Sequence, residues 1–102
     1  MKPKQANYIR LKASDVRRCL RDLEILVVSY DRLGSAFHDD PDKLAIESDR
    51  FFSRIDGFKK LALIRTVLSK AYNSQSTKAE VKRLDEFLEA VEIWKCEKQD
   101  LP

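Results

Sequence analysis

Between Phe51 and Tyr72 the chain reads FFSRIDGFKKLALIRTVLSKAY, and its apolar positions return at the helical period. Phe51, Ile55, Phe58 and Ala62 form one stripe. Leu61, Ile64, Leu68 and Ala71 or Tyr72 form a second, offset stripe, and Leu63 and Val67 widen the face. Residues three and four apart share one side of a helix. A face this wide needs neighbours on more than one side, so the stretch reads as the central helix of a small bundle. The 2 glycines and 3 prolines in 102 residues leave little room for the tight turns of a many-stranded fold. The expected class is all-α.

A chain of this length makes one domain with a modest core, and such domains often gain stability by associating. The 43% apolar and 36% charged residues fit amphipathic helices with solvated outer faces. The beginning, MKPKQANYIRLK, is basic without a following apolar run, so no secretory signal is read there. The longest apolar runs, Ile25–Val28 and Leu61–Ile64, fall far short of the roughly 20 residues of a membrane span. A soluble, cytoplasmic protein is expected, with no membrane partner. Cys19 and Cys96 lack the spacing of a disulfide framework or a Cys-x-x-Cys motif and read as reduced thiols.

In chain order, residues 1–13 carry Lys2, Lys4, Arg10 and Lys12 without an acid and read as a basic, partly ordered arm. Residues 14–102 form the helical domain. Ser14 is a suitable N-cap, and Val16, Leu20, Leu23, Val27 and Tyr30 follow a 4-3-4-3 core seam flanked by Cys19, Leu26 and Leu33. Gly34 is the natural stop of this first helix. Ile25 and Val28 fall off the seam, either as core on a second side or as a patch for another subunit. Residues 35–47 form the main break. Asp39-Asp40 before Pro41 reads as a turn with proline at the first helical position, and Leu44-Ala45-Ile46 as one short helical turn.

The central helix is then expected over about 48–73. Gly57 lies inside it at a cost of roughly 1 kcal/mol, which the unbroken stripe can absorb. If Gly57 is instead a turn, the bundle has four helices. After the polar Asn73–Ser76 linker, Thr77 and Glu80 match the capping box that opens a last helix. Val81, Leu84, Leu88 and Val91 form its stripe, with Phe87 and Trp94 beside it and fraying near Lys98. The expected architecture is an antiparallel three-helix bundle. Its central helix outreaches its neighbours and calls for a second copy or a tight heteromeric partner.

Charge alternates in blocks. Residues 1–21 carry net +6, 22–58 net −5, 59–83 net +6 and 84–102 net −4. Opposed blocks set which elements pair more than they add stability, since exposed ion pairs are worth roughly 0–1 kcal/mol each. A second reading gathers Lys59, Lys60, Arg65, Lys70, Lys78, Lys82 and Arg83 into a basic surface for nucleic-acid phosphates. Within it, Ala71 to Arg83 can be set as a helix-turn-helix, with Lys78, Lys82 and Arg83 opening the recognition helix. The turn lacks the usual glycine, and two bundle helices joined by a polar loop look much the same.

Arg32 and His38, separated by five residues, resemble the Arg-x(4–6)-His signature of HEPN-type ribonucleases. The resemblance covers seven residues. It implies a helical bundle that pairs two copies of the motif at a dimer interface. His38 would then be the acid or base and Arg32 would hold the scissile phosphate. The plainer reading is a loop histidine beside an exposed arginine. One histidine and two distant cysteines make no zinc ligand set, and Asp39, Asp40 and Asp42 lack the glycine and glutamate of a calcium loop. No metal, cofactor or catalytic residue is expected.

The reading preferred on these grounds is a non-catalytic interaction or regulatory module of adaptor, inhibitor or immunity type that associates with itself. Its expected interface residues are Ile25, Val28, Phe52, Leu63, Val67 and Trp94.

Overall fold

Helix boundaries are set by who satisfies the free backbone groups at each end. A computed structural model of the chain describes residues 8–95. They form four helices in order: α1 (Ala13–Ala36), α2 (Pro41–Arg54), α3 (Gly57–Gln75) and α4 (Lys78–Glu89). Lys2, Lys4 and Cys96 lie outside the described residues, whereas the last helix, expected to fray only near Lys98, already ends at Glu89 with Ala90 as its C-cap, so Val91 and Trp94 are not on it.

Two helix starts form by local chemistry as expected. The Asp40 carboxylate accepts the Lys43 backbone N–H at 3.1 Å, and Pro41 opens α2. Thr77 and Glu80 close a full capping box: the Thr77 N–H donates to Glu80 Oε1 at 2.9 Å, and the Glu80 N–H donates to Thr77 Oγ1 at 3.2 Å.

Four boundaries differ from the expectation, the early end of α4 among them. Helix α1 starts at Ala13 with Lys12 at its N-cap, so Ser14 lies within the first turn and caps nothing. It then runs through Gly34 to Ala36 and ends where the Phe37 N–H reaches Leu33 O at 3.0 Å. A glycine ends a helix by turning left-handed, and Gly34 keeps a negative φ. The short turn expected at Leu44–Ile46 runs without interruption into Phe51 and Phe52, making α2 one helix of 14 residues.

The expected continuous helix over 48–73 is broken, and the four-helix alternative is the one realised. The breaking residue is Asp56, in the left-handed region at φ 52°, ψ 52°. Aspartate is among the few residues besides glycine that visit this region. Gly57 then opens α3, fully buried under the Phe52 ring. The Lys60 ammonium donates to Ile55 O at 2.8 Å, satisfying a carbonyl that the break leaves without its helical partner.

The break bends the chain without reversing it. Helix α2 runs antiparallel to the C-terminal half of α1, where the Tyr30 and Phe51 rings meet edge to face at 5.2 Å. Helix α3 continues past the N-terminal half, with Leu63, Val67 and Ala71 beside Asp15 and Arg18. The pair is clamped beyond its end: Gln75 accepts the Arg10 N–H at 2.9 Å and donates to the Arg10 carbonyl at 2.6 Å. Helices α1, α2 and α3 thus form a hairpin with a bent second arm. Helix α4 stands apart from this trio, and the Tyr72 hydroxyl reaches Glu80 O at 3.5 Å at its first turn.

The body measures 56 × 35 × 20 Å with a radius of gyration of 18.0 Å. A compact chain of 100 residues would have about 13 Å. The thin direction holds at most two helix diameters of about 10 Å. Burial is correspondingly sparse. Among the described residues Leu26, 5% exposed, is the one fully buried apolar side chain, and α2 and α4 bury none.

Candidate interaction surface

The face of α1 that turns inward is not the expected seam. Cys19, Asp22, Leu26, Ser29 and Leu33 lie on one line along the helix and are buried or half-buried against α2 and α3. Cys19 and Ser29 are small and let the neighbours approach. Asp22, itself buried, accepts from Arg21 Nε at 3.2 Å. The expected core seam lies roughly 90° around the helix at 100° per residue. Its Val16 is half-buried, but Leu20 is 60% exposed and Val27 64%, with Leu23 and Tyr30 also open. The core assignment of this seam is corrected accordingly.

Helix α3 repeats the arrangement. Lys60, Ile64, Val67 and Ala71 turn towards α1, while Phe58 is 75% exposed and Leu61 and Leu68 are about half open. The Asp15 and Arg18 side of α1 and the Thr66 and Lys70 side of α3 share one flank of the hairpin. For antiparallel helices, the same sense of rotation about each axis leads to the other flank. It carries Val16, Leu23 and Tyr30 from α1 with Leu61 and Leu68 from α3. The two helices therefore present one joint face that is apolar apart from the exposed Arg65. A strict 4-3-4-3 spacing is the signal that could have found it, since that is the period of a seam between two helices rather than of a broad core face.

The six expected interface residues are scattered. Leu63 and Val67 line the open groove between α1 and α3. Phe52 is half-buried on Gly57, Ile25 is exposed, and Val28 is half-buried on α1. Trp94 lies past the end of α4 and is 81% exposed, next to Ile93, which is also open. Helix α4 leaves Phe87 and Leu88 to solvent, and Val91, just past its end, is open as well.

The basic set divides as well. On α3, Lys59 and Lys70 share a direction, Arg65 points some 140° away within the apolar stripe, and Lys60 is engaged with Ile55 O. Lys78, Lys82 and Arg83 are exposed on the first half of α4. Arg32 lines a groove between α1 and α2 with Glu47, Arg50 and Arg54, and Arg50 pairs with Glu47 at 3.1 Å. His38 is not in that groove. It is exposed in the turn after α1, with Nδ1 3.2 Å from Ser35 O. Among the described residues no three His, Cys, Asp or Glu side chains come together as a metal site, and no helix is long and apolar enough to cross a membrane.

Comparison with models of known protein families, with curated proteins and with solved structures finds no match to this chain.

Proposed function

We propose that the chain is a non-catalytic helical interaction module that acts by binding protein, a second copy of itself included. One observation carries the reading: the joint apolar face of α1 and α3 is open to solvent in a body whose one buried large apolar side chain, among the described residues, is Leu26. Singly exposed apolar residues are ordinary, but contiguous rows of them mark association surfaces. The scatter of the α3 basic residues gives phosphate recognition less support, because a phosphate-binding surface needs its cations on one side.

Sedimentation velocity from about 1 to about 100 µM, with nucleic-acid anisotropy at about 50 and 200 mM salt, tests this. The expected result is an assembly larger than one chain and no salt-sensitive binding of duplex DNA or single-stranded RNA. A monomer whose RNA or DNA binding collapses with salt, and is lost on Lys78→Ala/Lys82→Ala, would overturn the proposal.

A further inference from the structure

We infer that the α1–α3 face is covered by a second copy of this chain, related by a two-fold axis that sets α1 antiparallel to its copy. The inference rests on the interaction-module reading and specifies its partner and geometry. Three observations carry it: period, charge and area.

The outer seam of α1 is the half-buried Val16 with the exposed Leu20, Leu23, Val27 and Tyr30, and the same steps lead to Gly34. This alternation of four and three keeps a seam against one partner helix over about five turns. Antiparallel pairing with the axis beside Ile25 stacks Leu20 on Tyr30 of the copy, Leu23 on Val27, and Val16 on Gly34. The glycine leaves room at both ends.

One border of the seam is the buried Cys19, Leu26 and Leu33 line, already used by α2 and α3. The other border reads Arg17, Glu24, Asp31. None of the ion pairs among the described residues involves these three. In an antiparallel pair this border meets its own copy, so Arg17 faces Asp31 of the copy twice over. Glu24 faces Glu24 near the axis. A parallel pair would set the charged border against the Cys19 and Leu26 line and leave Arg17 and Asp31 unmatched. The charge order is therefore self-complementary in one orientation.

The seam from Val16 to Gly34 is about 27 Å long at 1.5 Å per residue. Beside the N-terminal half of α1, where α3 lies, the face is about 20 Å wide, two helix diameters. Its flat footprint is at most about 540 Å², some two thirds of the roughly 800 Å² per partner of a standard interface before side-chain relief is counted. The two α3 helices come together on the far side of the α1 pair, with Leu61 near the axis. The product is an antiparallel four-helix arrangement, with the apolar face as its interior and the exposed Arg65, one turn from Leu61, at the outer edge of the α3 pair.

The test combines charge reversal with cysteine trapping in the full chain. Arg17→Asp and Asp31→Arg should each weaken dimerisation about tenfold or more, given two pairs of modest strength per dimer. The double variant should return it to within about threefold. Glu24→Gln should tighten it. In a Cys19→Ser/Cys96→Ser background, Leu20→Cys mixed with Tyr30→Cys should crosslink on oxidation, whereas Leu20→Cys alone should not. Helix content by circular dichroism confirms that each variant is folded.

Crosslinking of Leu20→Cys alone would mean a parallel pair and overturn the inference. A dimer indifferent to both charge reversals, with no mixed crosslink, would overturn it while leaving self-association standing. A chain that stays monomeric over the whole range would overturn the inference and strike self-association from the functional reading.

Discussion

Gly57→Ala should destabilise the protein, although the general preference of helices runs the other way. Gly57 is the first residue of α3 and its φ is not positive, so alanine meets no backbone strain there. Replacing a helical glycine by alanine gains up to about 1 kcal/mol. Against this, the added methyl would lie within the Phe52 ring, 2.9 Å from Cγ and nearer still to Cδ2 and Cε2. Forcing a methyl into occupied space costs about 1–3 kcal/mol. The net expectation is a loss of about 1 kcal/mol. For a domain this size, that lowers Tm by about 4–8 °C.

The control is Phe52→Leu, which costs stability of its own but withdraws the ring. In that background Gly57→Ala should be neutral or stabilising. The double-mutant cycle should show a coupling of about 1–3 kcal/mol between two residues in contact. Urea unfolding followed by circular dichroism at one fixed chain concentration reads all four proteins. If Gly57→Ala stabilises both backgrounds equally, the ring does not hold the bend between α2 and α3, and the proposed cause of the break fails.

The same geometry supports further expectations. Thr77→Ala removes a capping box worth about 1 kcal/mol. Because α4 stands apart from the other helices, the loss should appear as faster amide exchange over 78–89 with little change in global Tm. Gln75→Ala severs both bonds to the Arg10 backbone, so the Arg10 amide should lose its exchange protection while α1 from its second turn keeps it. Asp56→Val places a β-branched residue at φ 52° and should cost about 1–3 kcal/mol in urea unfolding. If the chain unfolds from a dimer, Tm should rise by about 3 °C per tenfold concentration in calorimetry, from the specific unfolding entropy of two such chains. A Tm constant over two decades would refute that linkage.

The parts of the fold legible in sequence were those whose cause is local. Asp40 with Pro41, and Thr77 with Glu80, satisfy backbone groups within four residues, so their sequence patterns carry the whole explanation. The preferred stop at Gly34 and continuity through Gly57 both fail, and the four-helix alternative with a break at Asp56-Gly57 holds, for a reason that is not local. Gly34 has nothing near its missing side chain and keeps the helix going, while the break falls at Asp56, held by the Phe52 ring and the Lys60 ammonium. Neither glycine turns left-handed; the break falls to Asp56, and the neighbours of Gly57 decide its place. On α1 the 4-3-4-3 spacing correctly marked an apolar line. Periodicity alone could not say whether the chain itself would cover that line. The small residues Cys19 and Ser29 drew α2 and α3 to the adjacent line instead.

That choice leaves α1 with two apolar lines about a quarter turn apart. A helix of this kind has neighbours on two sides when its surroundings are complete, as at the corner of a four-helix bundle. The chain supplies one neighbour through the Leu26 line, and its second arm is spent in the bend at Asp56 rather than in folding back over the seam. Helix α4, with its own exposed Phe87 and Leu88, also leaves that seam open, since Leu20 and Val27 remain more than half exposed. The hairpin thus has the parts of a bundle corner twice over once it is doubled, and only once in a single chain. On the proposed reading, folding and recognition draw on the same apolar surface. The inner line fixes the register of the hairpin, and the outer line with its Arg17, Glu24, Asp31 border selects the partner. A substitution on the inner line, such as Leu26→Ala, would therefore weaken both processes, whereas one on the outer line, such as Leu20→Ala, would weaken association and leave the hairpin's own contacts in place.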